Sequence, residues 1–365
     1  MKRRILQGVL GLSCLAGMPA LAAAPIHVMI LDGESAGSYH NWKATTPVLK
    51  KELDEVGLFD VDVVTAPPAD GDFSTFKPDW SKYKVIVMNY DAPASRWPDD
   101  LKASFETYMK NGGGLVVVHA SDNAFYGWDA FQEMIGVGGW RGRNQKAGPH
   151  WFYKDGKLTS DDGPGRAGHH GLRKPFLMTV RDSEHPIMKG LPKTFMHQGD
   201  ELYDSLRGPG KNMTVLATAY SDPANLGGSG VDEPLLMVLT YGKGRIFHSA
   251  YGHDVMALSS VDDVVTLQRG VEWAATGKVT QKVPTTFPDA NTVSFRSDLA
   301  AMDPNAGKGL NPLDATPQQG GGGPRGPGGF GGQRPGGFGG QAPGAAPGTP
   351  APSGAPAPAT TPAAK

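Results

Sequence analysis

Short apolar runs that alternate with helical patterns constrain this chain more than any other feature. Residues 26–31 read as a buried strand, and a helix follows in which Thr46 can cap the N-terminus, Pro47 can stand first, and Leu49, Leu53 and Val56 form a stripe before Gly57. Residues 61–64 and 85–88 are the next strands. Pro98 then opens a helix whose Leu101, Phe105 and Tyr108 face one way until Asn111-Gly112. The run Leu115-Val116-Val117-Val118, entered through Gly112-Gly113-Gly114, completes a β-α-β-(loop)-β-α-β order. That order predicts an α/β fold with a doubly wound, mostly parallel sheet and helices on both faces.

Two of these runs end in ionisable side chains. His119-Ala120-Ser121-Asp122 follows the strand at 115–118, and Tyr251-Gly252-His253-Asp254 follows a strand at 246–250. In parallel α/β sheets ligands bind in the crevice outside the carboxyl ends of the strands. One such histidine would merely cap its strand. Two at equivalent places, each with an aspartate after it, point to one shared site.

Further strands are predicted at 176–180, 213–217 and 235–239, with Gly242-Lys243-Gly244 as a tight hairpin signal before 246–250. A last helix is expected over 262–276, with Ser259 and Asp262 in capping-box spacing and Gly277 as its stop. Between these parts, residues 136–174 are rich in Gly, Arg, Lys and His without a sustained period. They read as a long excursion over the carboxyl edge, the kind of loop that is usually functional or mobile.

The two ends of the chain have different compositions. Met1-Lys2-Arg3-Arg4, an apolar run from Ile5 to Leu15, and Ala20-Leu21-Ala22 have the pattern of a secretory signal over 1–22, so the expected location is the periplasm or the medium. The apolar run is shorter than the ~20 residues a membrane-spanning helix needs, so no transmembrane segment is expected. Cys14 is the only cysteine, and Gly11 does not suit a lipoprotein signal, so the mature chain offers no disulfide, thiolate or cysteine ligand. Lys plus Arg (35) nearly balance Asp plus Glu (36), which gives no argument for nucleic acid as a partner. Gly and Pro are concentrated in residues 304–365, which predicts a disordered tail able to serve as an envelope tether. The folded domain is then 24–278, followed by an irregular extension at 279–303.

Four blocks resemble the ThuA-like (trehalose utilisation) family of the class I glutamine amidotransferase-like superfamily. They are His40-Asn41-Trp42, Gly112-Gly113-Gly114 through His119-Ala120, Asp200-Glu201-Leu202-Tyr203, and Tyr241-Gly242-Lys243-Gly244-Arg245 through Gly252-His253-Asp254. The resemblance implies a flavodoxin-like fold and a role in carbohydrate metabolism, alongside oxidoreductases that convert disaccharides to keto-sugars. Asn41 stands where the family commonly has aspartate. Glutamine hydrolysis does not carry over, because it needs a cysteine after the fourth strand and this chain has His119-Ala120-Ser121 there.

His119, Glu201, His253 and Asp254 are the expected catalytic residues, with Asp254 either orienting His253 or capping its turn. Adjacent carboxylates on an extended segment point apart, and Glu201 rather than Asp200 is expected to face the site; the alternative for Glu201 is that it caps a neighbouring helix. His40, His119 and His253, with Glu201, offer nitrogen and oxygen ligands to zinc or a similar divalent ion; the alternative is a metal-free hydrogen-bonded cluster. His40, Trp42, Trp140, Arg143, His169 and His170 are candidates for sugar contact, since aromatic faces and guanidinium groups suit rings and hydroxyls. His185 and His197 are expected to be structural or superficial. Two functions fit: proton abstraction beside a sugar carbonyl, or non-catalytic sugar binding by the same side chains.

Overall fold

In the computed structural model of the protein, residues 24–35 and 40–307 are described. The expected signal and nearly all of the expected tail lie outside them. Strands β1 (Ile26–Asp32), β2 (Phe59–Thr65), β3 (Val85–Met88) and β4 (Gly114–Val118) are joined through helices α1 (Trp42–Asp54) and α2 (Asp99–Lys110). Val28 to Leu31, Val85 to Met88 and Leu115 to Val117 have no exposed surface. Such strands are covered on both faces, so their sequences run as unbroken apolar stretches instead of alternating.

After α3 (Asp129–Ile135) come β5 (His150–Lys154), β6 (Lys157–Asp161), β7 (His169–His170), β8 (Lys174–Val180), β9 (Thr194–Asp200), β10 (Tyr203–Asp204), β11 (Thr214–Tyr220), β12 (Asp232–Tyr241) and β13 (Gly244–Ser249). Helices α4 (Val255–Leu258), α5 (Val261–Thr276) and α6 (Ser297–Ala300) complete the described part. The sheet order is β2-β1-β3-β4-β13-β12-β11-β8-β9. Its first five strands are parallel, in the 2-1-3-4-5 arrangement of flavodoxin-like folds, and the rest are antiparallel. The sheet is therefore mixed, with the doubly wound half at one side. Among the described residues no helix is long and apolar enough to cross a membrane.

Three local expectations need correction. Helix α1 begins one turn before Thr46, with Asn41 at its N-cap and Pro47 inside it. Thr45 and Thr46 are buried and accept from Asn89 Nδ2 at 2.9 and 3.0 Å, so what looks like a cap is a tertiary contact. Helix α5 starts after Ser260, whereas Ser259 ends α4. The excursion at 136–174 is not structureless: β5 and β6 form a hairpin, and β7 pairs antiparallel with β10. Asp155-Gly156, with φ of 50° and 75°, makes the hairpin turn, a dipeptide suited to two successive left-handed residues. The stretch after α5 is mostly irregular until α6, where Leu299 is fully buried.

Candidate metal centre

Each arm of the site leaves a different element near the carboxyl edge. His40 lies two residues before α1, and its carbonyl accepts from Ser35 Oγ and the Trp42 N–H. His119 follows β4 directly. It adopts φ 43°, left-handed backbone that is unusual for a non-glycine residue, and begins a 3-10 turn. Glu201 follows β9. His253 lies beyond β13, after Gly252 at φ 112°.

These four residues converge. One ligand atom from each of His40, His119, Glu201 and His253 lies within 4.8 Å of every other. The imidazole centroids are 4.9–5.4 Å apart, with their planes nearly perpendicular. Glu201 Oε2 is 3.5 Å from His119 Nε2 and 3.1 Å from His253 Nδ1, while its Oε1 is 3.5 Å from His170 Nε2. Neither Glu201 contact, to His119 Nε2 or to His253 Nδ1, has hydrogen-bond geometry. Consequently His119 Nε2, His253 Nδ1 and His40 Nδ1 are all buried without a hydrogen-bond partner.

In His119 and His40 the opposite nitrogen has a partner. His119 Nδ1 donates to the Ala250 carbonyl at 3.1 Å, and His40 Nε2 lies 3.3 Å from the Tyr203 hydroxyl. Metal-bound histidines typically have this outer partner, which fixes the tautomer and aims the lone pair of the other nitrogen inward. Three imidazoles and one carboxylate form a donor set suited to zinc-type ions. The residues therefore fit a divalent ion, on the evidence of orphaned nitrogens and ligand chemistry.

Electrostatics favour negative charge on the carboxylates. Burial would raise the pKa of Glu201, but His119 and His253 beside it outweigh burial and hold it well below the carboxylate range. Burial opposes charge on His119, yet Glu201 and Asp200 overcome it and raise its pKa. For His40 burial prevails, reinforced by His119 and His253, and the pKa falls well below that of ordinary imidazole. A neutral His40 keeps a lone pair available.

Around the quartet, Tyr203 packs on His119 at 4.1 Å between centroids and on Trp140 at 4.5 Å. His170 joins through Glu201 and donates its Nδ1–H to the Gly171 carbonyl at 2.9 Å. Trp42 begins α1, with Lys43 Nζ over its ring at 5.5 Å.

Three expected site residues have other partners. The Arg143 guanidinium is buried and donates to the carbonyls of Asn123, Ala124 and Gly139 and to Gln132 Oε1, so it pins loops together instead of meeting a sugar. His169 is tied to Asp204 Oδ2 at 2.8 Å and the Leu226 carbonyl at 3.2 Å. Asp254 accepts from the Ala257 N–H as N-cap of α4 and pairs with Arg173 at 2.7 Å, which matches the capping alternative and leaves His253 to Glu201.

Tyr203 and Asp200 were missing from the sequence-derived site. Tyr203 could have been suspected from its place in the Asp-Glu-Leu-Tyr block. Asp200 bonds to backbone N–H groups beside the quartet and to His197, and nothing in the sequence signals these partners.

Comparison with known proteins agrees with this architecture. A ThuA-like protein of Parabacteroides merdae is 43% identical, with the match covering 76% of this chain and 99% of that one at a TM-score of 0.72. Another, from Bacteroides uniformis, is 23% identical over 72% of this chain and 98% of that one, with a TM-score of 0.50, and supports the fold alone. No curated protein matches. The model of the family described as trehalose utilisation matches residues 27–274, and with that match the chain belongs to the ThuA family.

Proposed function

We propose that the protein is an exported enzyme of carbohydrate utilisation, acting on a disaccharide or keto-sugar at a divalent ion held by His40, His119, Glu201 and His253. The observation that carries this is the set of three buried imidazole nitrogens without hydrogen-bond partners around one carboxylate. When bound, such an ion supplies Lewis-acid polarisation of a sugar carbonyl or hydroxyl oxygen.

The chain's own residues supply the rest. His170 donates from Nδ1 to Gly171, so its neutral form presents a lone pair at Nε2, which lies by Glu201 Oε1 and can take the proton from carbon next to a sugar carbonyl. Side-chain exposure of 36% leaves His170 open to an incoming ligand, while Glu201 at 11% stays inside. Trp140, half-buried and backed by the buried Tyr203, offers an aromatic face on which a sugar ring can lie.

The test combines metal analysis of protein purified without added metal, chelation, and product analysis on oxidised and unoxidised disaccharides. Stoichiometric ion and a chelator-sensitive product are expected. Sugar affinity without ion or turnover would overturn this function in favour of a sugar-binding module. Export to the periplasm or medium predicts a mature N-terminus near Ala23, checked by N-terminal sequencing. Residues 304–365 are proposed to act as an envelope tether, and fractionation of a truncated chain would refute that role if its distribution matched the full chain.

A further inference from the structure

Behind the quartet lies a chain of fully buried charges, His197, Asp200 and Asp262. His197, on β9, has no exposed surface; its Nδ1 is 2.8 Å from Asp262 Oδ2, and its Nε2 is 3.3 Å from Asp200 Oδ2. The ring is sandwiched by Tyr251 and Phe176, with centroids 4.3 and 4.9 Å away. Asp262 sits in the first turn of α5, where Ser260 Oγ donates to its other oxygen. Burial disfavours a charged His197, but Asp262 and Asp200 outweigh it and raise its pKa to about 10, so the ring is an imidazolium at neutral pH.

Asp200 connects this ring to the centre. Its Oδ2 accepts from the Gly252 N–H at 2.7 Å, and its Oδ1 accepts from the His253 N–H at 3.2 Å and the Glu201 N–H at 2.7 Å. One carboxylate therefore ties together the two backbone segments that present Glu201 and His253. Those segments come from strands at different places in the sheet, and β9 is its terminal strand. The Gln198 N–H also donates to Ser260 Oγ at 3.2 Å, but Asp200 is the member of this network that reaches the Gly252–His253 backbone directly.

We propose that His197 is the positioning residue of the centre: clamped between Asp262 and Asp200, it fixes the carboxylate that sets Glu201 against His253. This inference rests on the quartet being one site. A purely structural role is a real competitor. Removing one partner of a buried ion network is itself destabilising, so positioning and stability are separated by measuring both on the same variants.

Three full-length variants decide it: His197→Gln, Asp262→Asn and Phe176→Leu, the last removing ring contact with His197 without touching the charges. Zinc affinity is measured by competition with a chromophoric chelator. Hydrogen exchange of the peptide containing Gly252 and His253 is followed in metal-free protein. His197→Gln should bind zinc ~10–100-fold more weakly, as expected for loss of an outer partner, and its Gly252–His253 amides should exchange faster. Phe176→Leu should melt lower but keep both properties. A folded His197→Gln protein with wild-type affinity and protection overturns the proposal, and so does a Phe176→Leu protein that loses both equally. If His197→Gln fails to fold, Asp262→Asn carries the same expectations and the same refutation. Failure of the wild-type protein to bind zinc would refute the metal centre, while the exchange measurement would still decide the positioning role.

Discussion

Gly270 lies in α5 above β13, and replacing it by alanine opposes two effects whose sizes can be compared. Helix propensity favours alanine over glycine by about 0.8–1 kcal/mol. The added methyl carbon, however, would lie 2.1 Å from Phe247 Cδ1 and 2.5 Å from its Cε1. Carbon atoms pack at about 3.5–4.0 Å, so the ring or the helix must move by more than 1 Å. Phe247 is fully buried and the helix covers the parallel half of the sheet, so neither can yield cheaply. Overpacking of this kind costs about 1–3 kcal/mol and here belongs at or above the upper end. The net expectation for Gly270→Ala is a loss of about 2 kcal/mol, or about 4–8 °C in Tm for a domain of this size. Urea unfolding and thermal melts followed by circular dichroism measure it. Phe247→Leu should partly rescue the variant, with a coupling energy above about 1 kcal/mol in a double-mutant cycle. A Gly270→Ala protein as stable as the wild type would refute the steric argument, and absent coupling would show that the strain lies elsewhere.

His253→Ala should weaken divalent-ion binding by more than the ~10–100-fold typical of losing an outer partner while the metal-free fold persists, as read by calorimetry and circular dichroism; unchanged affinity would remove it from the ligand set. Glu52 has no exposed surface, and burial followed by the neighbouring Asp263 raises its pKa well above the carboxyl range. A raised folded pKa means that stability is present below the unfolded value and is lost as pH rises toward the folded one. Glu52→Met should therefore stabilise the protein by about 1–3 kcal/mol at pH 7, with the gain shrinking as pH falls into the ordinary carboxyl range; a gain independent of pH would contradict this. Arg143→Lys should cost about 2–3 kcal/mol in chemical denaturation, because an ammonium cannot reproduce the planar fork that reaches three carbonyls and Gln132; wild-type stability would show that these contacts are dispensable.

The parallel half of the sheet was legible because strands covered on both faces must be continuously apolar, as at residues 85–88 and 115–117. The antiparallel edge was less so. Strand β9 carries His197, Gln198 and Asp200, whose partners come from elsewhere in the fold, so its polar residues hid its strand character. The hairpin in the excursion did have a signal, Asp155-Gly156, but β5, though it carries Trp151, Phe152 and Tyr153, is only half-buried, and β6 is polar and mostly exposed. At the site, the histidines and Glu201 could be nominated from strand ends, whereas the commitments of Arg143 and His169 depend on carbonyls and a carboxylate supplied by other segments, and Asp254, besides its local cap, meets an arginine far away in the chain. Side-chain identity alone carries no information about such partners.

The left-handed backbone at His119 gives this position a directional mutational drift. A β-carbon in that conformation costs roughly 1 kcal/mol, which glycine avoids and asparagine lessens. Any lineage that stopped using the centre would thus find at residue 119 a substitution that relaxes the turn after β4, provided the space left by the ring is filled. Across relatives, the identity of this one residue should therefore separate working centres from abandoned ones more sharply than the surrounding core does.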